Sequence, residues 1–143
     1  MKKSRTAPGF ESRLTENLLG SLWGLISLPF RKKGPMFNRG HIAAAWQEIE
    51  QLADGSAQEL KLAVVKADSL VDGILQRTAG GKTMGERLKN AESKFSHATY
   101  HNLWEAHKLR NRIAHEAHVE PHLEELRIAV ARFRKALQEI GVL

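Results

Sequence analysis

Residues 56–81 read SAQELKLAVVKADSLVDGILQRTAGG, and this stretch decides the fold class. Ser56 and Glu59 stand three apart at its start, the spacing of a capping box that satisfies the first free amides of a helix. Behind them Leu60, Ala63, Val64, Ala67, Leu70, Val71, Ile74 and Leu75 recur at the three-and-four spacing of one helical face. Gly80-Gly81 stops the pattern.

The same signals repeat on both sides. Upstream, Asn38 is placed to cap a helix carrying Ile42, Ala45, Trp46, Ile49 and Leu52 on one face, and Asp54-Gly55 ends it. Downstream, Thr83 and Glu86 form a second capping box before a short helix through Leu88 and Ala91. A long helix is predicted from about His97 or Thr99 to about Ala114, with Tyr100, Leu103, Trp104, His107 and Ile113 along it. A turn at Val119-Glu120-Pro121 leads to a last helix, from about Pro121 to Glu139, with Leu123, Leu126, Val130, Phe133, Leu137 and Ile140 inward. No segment alternates with the period of a strand. The expected architecture is all-α, a bundle of four to five helices with short connections.

The 143 residues suit one domain with a real core, and Gly34-Pro35 marks its start, giving a leader over 1–35 and a bundle over 36–143. The absence of cysteine excludes disulfides, thiolate catalysis and cysteine-bound zinc, and a cytoplasmic protein is the simplest reading. The net charge of +6 is unevenly placed. Lys2, Lys3, Arg5, Arg13, Arg31, Lys32, Lys33 and Arg39 face only Glu11 and Glu16 in residues 1–39, while the remaining 104 residues hold 14 charges of each sign. Any nucleic acid handled by the bundle must therefore be held by local charges and not by a general basic field.

Residues 18–30 form an apolar run followed at once by Arg31-Lys32-Lys33. As a helix such a run reaches about 20 Å, short of the roughly 30 Å hydrocarbon core, so it is too short to span a membrane. Basic residues after it, with no small-residue cleavage site, argue against a signal peptide. Two expectations stay open for this leader helix. It lies on an anionic membrane surface through residues 18–33, with Trp23 and Phe30 as anchors, at the inner face of the membrane. Or it packs on the domain or on a second copy.

Two motifs mislead. Gly80-Gly81-Lys82-Thr83 resembles the end of a phosphate-binding loop, but the position that needs the first glycine is Gln76 and the preceding element is a helix. His97 with His101, and His118 with His122, have the four-residue spacing of shared metal ligands, but no third ligand is fixed. His115-Glu116-Ala117-His118 is one residue short of the zinc-protease signature. No metal and no cofactor is expected.

The run that carries chemistry is Arg110-Asn111-Arg112-Ile113-Ala114-His115. Arginine binds phosphate through paired donors, and imidazole, with an unperturbed pKa of about 6.5, moves protons near neutral pH. Cations also suit the negative end of a helix dipole, so the run has a purely structural reading as well. On an ideal helix a five-residue step turns a side chain about 140°. Arg110 and His115 then converge only if the helix loosens near Ala114, if the arginine swings round, or if a second copy completes the site.

Arg110 to His115 resembles the arginine, four to six residues, histidine motif of the HEPN superfamily (higher eukaryotes and prokaryotes nucleotide-binding), including the asparagine often found right after the arginine. The setting is similar too, a long penultimate helix ending in the motif before a final amphipathic helix, and the resemblance covers roughly residues 40–140. It implies an HEPN-like bundle that pairs as a homodimer, with both Arg/His sets in one cleft, acting as a metal-independent, toxin-like endoribonuclease. By position, Arg110 would bind phosphate, His115 would be catalytic, and Asn111 would help order them. Arg112 and Lys108 are the neighbouring cations expected to bind nucleic acid. Some members also use an acidic residue on an earlier helix, for which Asp68 and Asp72 are the candidates. Glu116 is expected either to raise the His115 pKa or to pair with Arg112. In members silenced by nucleotidyl transfer a tyrosine lies two positions after the histidine; here Ala117 stands there. The alternative expectation is a non-catalytic HEPN-like module that binds nucleotide or RNA, or only dimerises.

Overall fold

The computed structural model describes residues 37–116, 118 and 120–143. The leader, residues 18–33 included, lies outside the described residues, as does Ala117. Phe37–Leu143 form one unit. Its elements are α1 (Arg39–Ala53), α2 (Ala57–Thr78), α3 (Met84–Asn90), a short 3-10 turn (Glu92–Lys94), α4 (His97–His115) and α5 (Leu123–Glu139), with no strand among the described residues. The all-α expectation holds. No helix of the described residues is long and apolar enough to cross a membrane.

Helix α2 is the axis of the bundle. It packs against α1, α3, α4 and α5, while α4 and α5 pair with each other. Its capping box forms as the sequence indicates, with Ser56 accepting from the Glu59 amide and Glu59 accepting from the Ser56 amide. The Ser56 backbone donor, with the hydroxyl second, holds the Glu59 carboxyl below its usual range. Leu60, Ala63, Val64, Ala67, Val71, Ile74 and Leu75 are all buried. They meet Ile42, Trp46 and Ile49 of α1, Leu103, Ala106 and Leu109 of α4, and Leu126, Ala129, Val130, Phe133, Ala136 and Leu137 of α5 in one core. Each large aliphatic or aromatic side chain so buried contributes roughly 1.5–3 kcal/mol.

Two boundaries and one side chain differ from the sequence reading. Helix α4 runs one residue further, to His115. Helix α5 starts at Leu123, because His122 takes an extended backbone as its N-cap. Glu124 and Glu125 then fall in the first turn, where carboxylates suit the helix dipole. Leu123, expected inward, is 45% exposed at the first position of the helix. Glu139, at the other end of α5, accepts from the Ser96 amide at 2.6 Å and so ties α5 to the start of α4. Hydrogen bonds from Thr99 first, then from Ser96, hold its carboxyl below the ordinary carboxylate range.

Gly81 takes a φ of 119°, and an added Cβ would lie 3.0 Å from the Arg87 amide nitrogen and from Glu86 Cβ. Gly73 is mid-helix and an added Cβ would meet nothing within 4 Å. Alanine at the two sites should therefore act in opposite directions. Gly81→Ala is expected to lower stability by about 2 kcal/mol through backbone strain. Gly73→Ala should raise it by roughly 0.5–1 kcal/mol, since alanine loses less freedom in a helix. Urea denaturation of both variants checks the pair, and a shared sign would refute the assignment.

Candidate functional site: a polar ring between two helices

Asp68 interrupts the apolar stripe of α2, with its side chain only 5% exposed. A buried carboxylate is tolerated when it is paired and hydrogen-bonded. His107 interrupts the facing stripe of α4 and is buried too. Its Nδ1 lies 2.8 Å from Asp68 Oδ1. The other carboxylate oxygen, Oδ2, is 3.3 Å from Arg110 Nε. That Nε–H is buried and not aimed along the oxygen, so the contact is an ion pair without a hydrogen bond.

The ring closes on the far side. Arg110 Nη1 donates to Asn111 Oδ1 at 3.1 Å. Asn111 Nδ2 is 3.1 Å from His107 Nε2. Asp68, His107, Asn111 and Arg110 thus form a closed circuit in which each touches two of the others. Trp104 sets its ring edge-on to the imidazole, 6.1 Å between centroids, and Tyr100 does the same to Trp104 at 6.4 Å. The imidazole is held by hydrogen bonds at both nitrogens and by an aromatic wall.

Helix geometry explains the arrangement. Arg110 lies three residues after His107, on the buried side of α4 at its open end, so it reaches Asp68. His107, Asn111 and His115 follow one another at four-residue steps and share one face. The exposed His115 therefore stands one turn beyond Asn111. Helix α4 does not loosen near Ala114; it stays helical through His115. The arginine swings instead, folding its guanidinium onto Asn111. Among the described residues, no hydrogen bond or ion pair joins Arg110 to His115.

The other expected site residues are placed elsewhere. Asp72 is taken by Arg87, through Nε to Oδ1 at 2.6 Å and Nη2 to Oδ2 at 2.9 Å. Arg87 Nη1 also donates to the Gly81 carbonyl at 2.8 Å, so this pair locks α3 and the glycine turn onto α2. The Asp72 hydrogen bond raises the Arg87 pKa above its ordinary value. Of the two acidic candidates, only Asp68 joins the Arg110 cluster.

Arg112 pairs with Glu125 of α5, not with Glu116. Glu116 is the exposed C-cap of α4, its amide bonded to the Arg112 carbonyl. Lys108 pairs with Glu105 at 2.8 Å. Lys108 and Arg112 line a groove with Glu105, Glu124 and Glu125 between α4 and α5. Arg112 is two residues from Arg110, about 200° round the helix. Within one chain the three cations therefore do not make one patch. Among the described residues no group of three or more His, Cys, Asp or Glu side chains is placed to hold a metal.

His107 is the site residue that sequence reasoning misses. It stands among Tyr100, Leu103 and Trp104 on the predicted helix, and nothing local to that helix names its partner Asp68. The available signal was a pair of anomalies, one ionisable residue in each of two apolar stripes. Comparison of the chain with protein-family models, with curated proteins and with solved structures gives no match.

Proposed function

We propose that the chain is an HEPN-like, metal-independent endoribonuclease whose site forms where two copies pair. One observation carries this reading. Arg110 is bent onto Asn111, one turn before the exposed His115, with Asp68 fixing the guanidinium from behind. Arg110 Nη2 keeps its donors for a phosphate oxygen. His115 keeps an open imidazole.

One imidazole serves as base or as acid in a single displacement, not as both. A two-fold dimer supplies the second. In the proposed step His115 takes the proton of the ribose 2′-hydroxyl, and O2′ attacks phosphorus. The bond from phosphorus to O5′ breaks, and the partner's His115 returns a proton to O5′. Arg110 stabilises the charge that builds on the phosphoryl oxygens. The products are a 2′,3′-cyclic phosphate and a 5′-hydroxyl end.

The test is incubation of the full chain with an unstructured RNA oligonucleotide in excess chelator. Cleavage yielding 2′,3′-cyclic phosphate ends, on a particle that sediments as a dimer, is the expected result. Cleavage abolished by chelator, or a strict monomer that cuts, would overturn the reading. The Asp68–Arg110 ion pair favours a second reading, a module that binds nucleotide or RNA without cutting, because it neutralises much of the arginine's charge. A ligand-dependent rise in melting temperature with intact RNA would select it.

A further inference from the structure

The ring has a direction, and Arg110 sets it. A guanidinium has donors only. Arg110 Nη1 stands 3.1 Å from the Asn111 side chain, so the amide end that meets it must be the oxygen. The Asn111 amide nitrogen is then the end that meets His107 Nε2, at 3.1 Å. That nitrogen is also a donor, so Nε2 must offer a lone pair. The imidazole hydrogen is left on Nδ1, where Asp68 Oδ1 accepts it at 2.8 Å. Each of the three hydrogen bonds of the circuit then sets a donor against an acceptor, and its fourth side is the ionic contact of Arg110 Nε with Asp68 Oδ2. Turning the Asn111 amide over would set donor against donor at Arg110.

We propose that His107 is a positioning residue: in its Nδ1–H form it accepts from Asn111 and so holds the Asn111 carbonyl toward Arg110, leaving the Nη2 edge of the guanidinium for a phosphodiester. The phosphodiester part rests on the ribonuclease reading. The orientation of Asn111 and Arg110 does not. His107 touches neither substrate nor reacting atoms; it acts through Asn111. The Asp68–His107 bond is buried between α2 and α4, where solvent competes poorly for it, and this anchors the imidazole in one state.

The two halves of the imidazole can be removed separately. In His107→Gln the amide oxygen reaches the place of Nε2 and still accepts from Asn111, while the link to Asp68 is given up. In His107→Asn the amide nitrogen reaches the place of Nδ1 and keeps Asp68, while Asn111 loses its acceptor. A role through Asn111 ranks glutamine above asparagine. A role in merely holding Asp68, or in filling space, ranks them the other way.

The experiment uses the full-length chain labelled with 15N. Long-range proton–nitrogen spectra should show His107 protonated at Nδ1 and bare at Nε2; a proton on Nε2 overturns the proposal. Exchange of the Arg110 Nε–H with solvent should stay slow in His107→Gln and become fast in His107→Asn. With the RNA oligonucleotide, His107→Asn should lose on the order of 10²-fold in kcat with a smaller change in KM, as for a misplaced group, and His107→Gln should recover most of that loss. The reverse ranking in exchange or in kcat refutes the role. If the parent cuts no RNA, the ribonuclease reading fails by itself and the exchange ranking still decides the positioning. If His107→Asn does not fold, the tautomer and the exchange rate in His107→Gln decide it.

Discussion

Asp68→Ala is expected to cost the domain about 2–3 kcal/mol, since it leaves a buried donor without its acceptor and a half-buried guanidinium without its counter-ion. Among the described residues the carboxylate is the only acceptor for His107 Nδ1 and the only anion beside Arg110 Nε. Without it a half-buried guanidinium and a buried N–H lose their partners together. Urea denaturation should show a lower midpoint at an unchanged slope, because the surface exposed on unfolding is the same. The double variant Asp68→Ala, Arg110→Met should recover part of the loss, since it removes the orphaned charge as well. A single-variant loss below about 1 kcal/mol would show that Asp68 is not the anchor described here.

His115→Ala is the second large effect, and it falls on activity alone. His115 is exposed and no described residue bonds to its side chain, so its removal should move stability by less than about 0.5 kcal/mol. If it is the proton carrier, cleavage should drop roughly 10²–10⁴-fold. Arg110→Ala should drop cleavage by about 10²–10³-fold, as for loss of one group that stabilises developing charge, but it also strips Asp68 of its counter-ion. The histidine variant is therefore the cleaner test. A His115→Ala protein that cuts within threefold of the parent removes the catalytic assignment.

Both predictions rest on residues that the sequence treated differently. His115 and Arg110 were legible as a motif, because arginine and histidine at that spacing have a chemistry of their own. Asp68 was legible only as an oddity, a carboxylate among Ala67, Leu70 and Val71. Asp72 looked identical from the sequence, one turn along the same helix. The two part company because Arg87 of α3 lies over Asp72 while α4 lies over Asp68. Arg112 likewise looked like a helper of Arg110, yet the two-residue step sends it to the opposite side of α4 and onto Glu125.

Sequence alone determined the helices and nearly all of their ends. Caps and periodic stripes act over four residues or fewer, so Ser56 with Glu59 and Thr83 with Glu86 carry their instructions locally. Tertiary structure decided which polar residues share a site. Asp68 and His107 are 39 positions apart, and only the packing of α2 against α4 sets them 2.8 Å from each other. The physical reason is the cost of burying a polar group alone. Asp68 and His107 would each be unfavourable alone in its own helix face, and each is stable there because the other helix supplies its partner.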